Sequence, residues 1–256
     1  VIASVAKVSF LEIISDKILY NIIVIATVLM GLGFLASRLT YVRPDRVVLD
    51  FGVMAVGLSL SSIAIFIGAA VLNREVERRT MYLALSRPIS RFQFIAGKFV
   101  GLSWVLILNW VLVSAVFLTI LVTSGGLETH SFTPTLFIGL VLLLFESFIL
   151  AAVAIFFSSF STTSLSAILA VGMYLLGNNV SQIQSISSKI KSAPGAFSLD
   201  AISFIIPNLE NYALGTQITY GLPIPDKFVW FGIAYSCVVV VTLLVIASVL
   251  IETKEA

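Results

Sequence analysis

Hydrophobic positions along this chain run in long unbroken stretches, apolar on every face. No charged residue occurs from Phe51 to Leu72, from Phe99 to Leu127, from Ser147 to Ser188 or from Phe228 to Ile251. A stretch of about 18 or more such residues is long enough for a membrane-spanning helix. A closed β-barrel is the only other architecture that satisfies its backbone within a bilayer, and it would alternate polar and apolar residues in segments of about ten. That alternation is missing, so the pattern predicts an all-α, polytopic membrane protein. Six transmembrane helices are expected, at Ile18–Ala36, Leu49–Leu72, Gln93–Val122, Thr135–Phe157, Ser164–Val180 and Phe228–Ile251. Only the short Ser158–Thr163 stretch separates the fourth from the fifth, which predicts a tight turn.

Ahead of the first span, residues 1–17 mix Val5, Val8, Leu11 and Ile14 with Lys7, Glu12, Asp16 and Lys17. This mixture predicts an N-terminal amphipathic helix lying in the membrane interface, in contact with lipid. It has no charged leader followed by a cleavage pattern, so it reads as part of the fold. The 256 residues are expected to form a single transmembrane domain.

Composition agrees with the pattern. Only 11% of residues are charged, against about 25% in soluble domains. The basic residues border the spans, so the slight positive net charge does not point to nucleic acid. With the N-terminus in the cytoplasm, Lys7, Lys17, Arg74, Arg78, Arg79, Arg87, Arg91, Lys98 and Lys254 lie on the inner side. Arg38, Arg43, Arg46, Lys189, Lys191 and Lys227 lie outside. This excess favours cytoplasmic termini and residence in the inner, cytoplasmic membrane.

Catalytic chemistry is hard to find. The only cysteine, Cys237, falls within the sixth span and is expected to serve packing. One histidine, His130, cannot by itself build a metal site, and no cofactor is expected. The only Gly-Lys pair, Gly97-Lys98, is followed by Phe99 and preceded by Phe92 where a phosphate loop needs its first glycine. The chain is therefore not expected to be an enzyme.

The most informative polar segment is the interruption at residues 73–92. Asn73 to Leu85 has the pattern of a short helix, with Glu75 and Arg79 in the favourable acid-before-base i,i+4 order. Val76, Thr80 and Leu83 fall on one side of it, and Glu75, Arg78, Arg79 and Tyr82 on the others. Pro88 ends it, because the residue before a proline avoids the α region. Ser90 with Gln93 three residues later predicts a capping box that starts the next helix. Such a loop can be a solvated positive-inside anchor. Its charge density and fixed ends also suit a docking surface for a cytoplasmic partner.

The stretch from Glu75 to Gly101 resembles the cytoplasmic loop of ABC-2 type transporter permeases: an acid, the pair Arg78-Arg79, Thr80, then Leu85-Ser-Arg-Pro-Ile-Ser-Arg91 and Gly97-Lys-Phe-Val-Gly101. Phe10–Asn21 is similar to the family's interfacial helix entering span one. Phe145–Phe148 with the Ser-rich turn resembles its fourth span, and Ile206–Glu210 with Tyr220-Gly221 its outer segment. The nearest subgroup resembles permeases of multicopper-enzyme maturation and gliding-type systems. One departure is the C-terminus, Ile251–Ala256, which lacks a basic run after the last span.

The resemblance implies a permease subunit, an exporter, pairing with a second permease copy as a homodimer or with a close paralogue. Two copies of a cytoplasmic ABC ATPase would drive it. The coupling helix would seat in the ATPase through Glu75, Glu77, Arg78, Arg79, Thr80, Tyr82, Leu83, Pro88 and Arg91. Two alternatives stay open: a non-transporting membrane scaffold linking an ATPase to extracytoplasmic proteins, and an ATP-independent secondary transporter.

Within the spans, Glu146 lies about eleven residues from either end of the fourth, near the bilayer midplane. An acid there costs roughly 2.5–3.5 kcal/mol on insertion scales, so it must face protein or water and be protonated or hydrogen-bonded. Asn109, Ser114 and Tyr174 are candidate partners at similar depth. Glu146 and Asn109 are the candidate residues of a translocation path. Gly97 and Gly101 form a G-x-x-x-G that permits close helix approach, expected within the chain. Residues 181–227 form the extracytoplasmic segment. In it, Ser181–Lys191 can extend the fifth helix, and Asp200–Ile206 suits a re-entrant or interfacial piece ended by Pro207. Gly221, Pro223 and Pro225 stiffen the return, and the segment could meet an extracytoplasmic partner protein.

Overall fold

The computed structural model describes residues 2–40, 43–77, 90–124, 133–187 and 206–254, and among them every regular element is helical. In chain order they are α1 (Ile2–Ile14), α2 (Lys17–Leu39), α3 (Pro44–Ser62), a π-helical turn (Ile63–Ile67) and α4 (Gly68–Glu77). Then follow α5 (Arg91–Thr123), α6 (Pro134–Ser158), α7 (Thr163–Gly177) and α8 (Val180–Ser187). A 3-10 turn at Glu210–Tyr212, α9 (Gly215–Tyr220) and α10 (Asp226–Lys254) complete the order.

Local chemistry sets most of the boundaries. The Asp16 carboxylate accepts the Ile18 amide and caps α2. Pro44 and Pro134 sit in the first turns of α3 and α6, where a missing N–H costs nothing. Ser90 and Gln93 form the expected capping box at the start of α5. The turn between α6 and α7 is closed by serines: Ser161 Oγ donates to the Phe157 carbonyl at 2.8 Å, and Ser161 and Ser166 share a 2.7 Å bond.

Among the described residues five helical stretches are long and apolar enough to cross a membrane alone: Lys17–Leu39, Pro44–Asn73, Arg91–Thr123, Pro134–Ser158 and Lys227–Leu250. The expected fifth span, Ser164–Val180, needs correction. Its helix stops at Gly177 after 15 residues, which reach roughly 22 Å, short of the ~30 Å hydrocarbon core. The chain then bends by 67° into α8, so the fifth apolar stretch is a broken helix pair and not one straight span. Asn178 and Asn179 make the break: their amides donate back to the Tyr174 and Leu175 carbonyls at 3.2 and 2.7 Å, closing the helix end.

α6 is the central helix, packed against α3, α4, α5, α7 and α10. Glycines bring these helices together. Phe117 of α5 lies directly on Gly52 of α3, and Gly68 of α4 meets Ala154 of α6. Gly97 and Gly101 serve the seam between α5 and α1, where Cβ atoms would press on Val5, Ser9 and the Ala6 carbonyl. The G-x-x-x-G spacing is therefore used inside the chain. α1 buries Ala6, Ser9 and Ile13 there and leaves Val8 and Leu11 exposed on the opposite side. Val24, Val28 and Leu35 of α2 and Val238, Val241 and Val249 of α10 are also exposed. An outward apolar surface of this kind belongs to a protein whose solvent is hydrocarbon.

Candidate functional site

Glu146 stands at the middle of α6 and is buried, at 4% exposure. Its carboxyl lines a cavity of about 400 Å³ formed by α3, α6, α7 and the Ala213–Ile218 stretch. From α3 come Asp50, Val53, Met54, Gly57 and Leu58, and from α7 comes Tyr174. Asn178, at the break after α7, completes the polar part of the wall, and its amide donates to Glu146 at 3.4 Å. Among the described residues the wall holds two acids and no base.

One wall of the cavity is made by a segment that folds back on the spans. Leu209 N–H donates to the Gly177 carbonyl at 3.0 Å, an approach that needs glycine there, since a Cβ would meet the Pro207 carbonyl. Tyr212 donates its hydroxyl to the Gly232 carbonyl at 2.7 Å, and Asn208 N–H donates to the Tyr235 hydroxyl at 3.0 Å. Burial holds the Tyr212 phenol well above the ordinary tyrosine range. α9 is held to α3 twice: Thr219 donates its hydroxyl to Asp50, and the Arg46 guanidinium lies 4.6 Å over the Tyr220 ring. Gly221, at φ +63°, takes the left-handed conformation that ends α9. Ser181 ties α8 to this segment through 2.6 and 3.0 Å bonds to Glu210.

Of the partners expected for Glu146, only Tyr174 shares its cavity. Asn109 and Ser114 do not line it. Asn109 donates to Ser59 at 2.8 Å, inside the α3–α5 contact, so the geometry does not bring Asn109 and Glu146 into one cavity. The partner that the sequence did not single out is Asn178. Its signal was the Asn178-Asn179 pair at the end of an apolar run, a usual helix stop. Asp50 was equally legible as an acid just inside a span. Cys237 is exposed on α10.

At the opposite end, Glu75 and Glu77 fall in the last turn of α4, and Arg91 opens α5. Arg78, Arg79, Thr80, Tyr82, Leu83 and Pro88 lie outside the described residues, as do His130 and the 188–205 part of the outer segment, and Pro88's role as a stop with them. The flanking helices have separate anchors. On α4, Asn73 donates to the Ser158 hydroxyl at 3.1 Å and to the Ala69 carbonyl at 3.2 Å, and Ser158 donates to the same carbonyl at 2.9 Å. On α5, the buried Lys98 ammonium stands 3.9 Å from Glu12 of α1, alongside the glycine seam.

The family model described as "ABC-2 family transporter protein" matches residues 3–256, nearly the whole chain. The chain belongs to the ABC-2 transporter family. It is a multi-pass permease, the membrane component of a transporter whose partner is an ATPase subunit. A comparison with curated proteins returned no match. The permease architecture gives the two ends of the bundle different characters. At one, α4 ends and α5 begins, and at the other the folded-back segment lines the Glu146 cavity.

Proposed function

We propose that this permease is half of the membrane portion of an ATP-driven exporter, worked by a separate ATPase seated on residues 73–92. The observation that carries the reading is the separate anchoring of the two helices that flank residues 78–89. α4 is tied to the end of α6 through Asn73 and Ser158, and α5 is tied to α1 through Lys98 and the glycine seam. A load on the loop therefore reaches the central helix on one side and the interfacial helix on the other. The π-helical turn at Ile63–Ile67 interrupts the ladder between α4 and α3, and such turns are frequent at functional sites. Two permease copies and two ATPases form the working unit. The loop and both termini face the cytoplasm at the inner membrane, and residues 206–222 lie on the outer side. The residues of the loop that meet the ATPase are Glu75, Glu77, Arg78, Arg79, Thr80, Tyr82, Leu83, Pro88 and Arg91.

Copurification from native membranes in mild detergent tests this. The tagged full chain is expected to bring down a nucleotide-binding subunit, and an R78E/R79E variant to lose it. A permease that never brings down an ATPase with its loop intact ends the proposal.

A further inference from the structure

Glu146 has acceptor capacity that the fold leaves unused. A carboxylate offers about four lone-pair sites, yet among the described residues this one takes a single hydrogen bond, at the 3.4 Å outer limit. It is 96% buried by the chain's own atoms. Burying an acid in its charged form with so little compensation is costly, so it takes up a proton or is met by an opposite charge or further donors. Among the described residues no lysine or arginine lines the cavity, and Arg46 is stacked on Tyr220. The second carboxylate, Asp50, adds negative potential to the cavity wall, with one of its oxygens already taken by Thr219.

The remaining wall narrows the choice of ligand. Val53, Leu58, Leu143, Leu214 and Ile218 make it mainly apolar. An inorganic divalent cation would want about six or more close oxygens, which two carboxyls, one phenol and one amide spread along such a wall do not supply. A volume near 400 Å³ falls in the range that holds a small organic molecule, about 300–1,000 Å³.

We propose that the cavity between α3, α6 and α9 binds a lipophilic organic cation, its positive centre against Glu146 and its apolar groups against α3 and α6. The cation supplies the charge that the fold withholds, and Tyr174 adds a ring face and a hydroxyl beside it. As a substrate site this rests on the exporter reading, but binding itself needs no ATPase, so the two fail separately.

The test is equilibrium dialysis of the full chain in neutral detergent with tetraphenylphosphonium, and with tetraphenylborate as its counterpart of similar shape and opposite charge. The phosphonium is expected to bind at least tenfold more tightly than the borate. Glu146→Gln should weaken it about tenfold, and Asp50→Asn by less. Gly57→Leu, where a Cβ fits with its nearest neighbour at 3.5 Å, should fill the cavity and abolish binding. Size-exclusion profiles establish that each variant is folded, and if Glu146→Gln is not, Gly57→Leu decides. Equal binding of the two ions, or binding unchanged in a folded Glu146→Gln or Gly57→Leu chain, overturns the proposal.

Discussion

The side-chain amide of Asn178 reaches the carboxyl of Glu146 at 3.4 Å, from the break that divides the fifth apolar stretch. One residue therefore ends a helix and supplies the acid's one hydrogen bond. Removing the two partners should have unequal effects. Asn178→Leu strands a buried acid and is expected to destabilise by about 1–3 kcal/mol. Glu146→Leu removes the acid while the Asn178 amide keeps its bond to the Tyr174 carbonyl, so it should cost less, below about 1 kcal/mol. Thermal unfolding in one detergent, with all three chains side by side, measures the difference. Equal losses would mean that Asn178 matters only as a helix stop.

The seam between α1 and α5 depends on the absence of side chains. A Cβ on Gly101 would stand 2.8 Å from the Ala6 carbonyl, and backbone cannot step aside as a flexible side chain can. Gly101→Val should cost roughly 1–3 kcal/mol and lift α1. Phe10 packs edge-on to Trp104 with centroids 6.0 Å apart, so a change in Trp104 fluorescence, defined by subtracting a Trp104→Phe chain, reports the lifting. Unchanged emission would place the seam elsewhere.

Asp50 and Thr219, 169 positions apart, hold α9 against α3 in the cavity wall. Cysteines at both positions, with Cys237 replaced by serine, should form a disulfide promptly under mild oxidation. Thr219→Val should speed labelling of a cysteine placed at Leu214 in the cavity wall by a water-soluble maleimide. A pair that never cross-links would show that α9 does not rest on α3.

Asn73 and Ser158 bind the end of α4 to the end of α6. Asn73→Ala is expected to destabilise by about 1 kcal/mol. Ser158→Ala should cost a similar amount, and the double variant less than the sum, because the two share the Ala69 carbonyl. Full additivity in a double-mutant cycle would argue that the clamp does not act as a unit.

Much of this fold could be read along the chain. The spans at Leu49–Leu72, Gln93–Val122 and Thr135–Phe157 agree with helices to within a few residues, because a bilayer demands long apolar runs whatever their neighbours. The capping box at Ser90 and the turn near Ser158 were legible for a similar reason, since their bonds close within a few residues. The site was half legible. Glu146 stood out because an isolated acid inside an apolar run is costly. Its partner did not, because matching depths across helices presumed straight spans, and the break in the fifth apolar stretch brought Asn178 to Glu146 in place of Asn109.

The sequence alone determined that this is a helical membrane protein, where most of its long helices lie to within a few residues, and that a charged stretch separates its second and third apolar runs. These follow from hydrophobic run length and short-range capping. Only the tertiary structure decided that the fifth apolar stretch bends, that Gly97 and Gly101 seat α1, and that α9 walls a cavity holding Glu146 and Asp50. Each of those depends on atoms from distant parts of the chain meeting within a few ångströms, a relation that packing sets and hydrophobic periodicity does not encode.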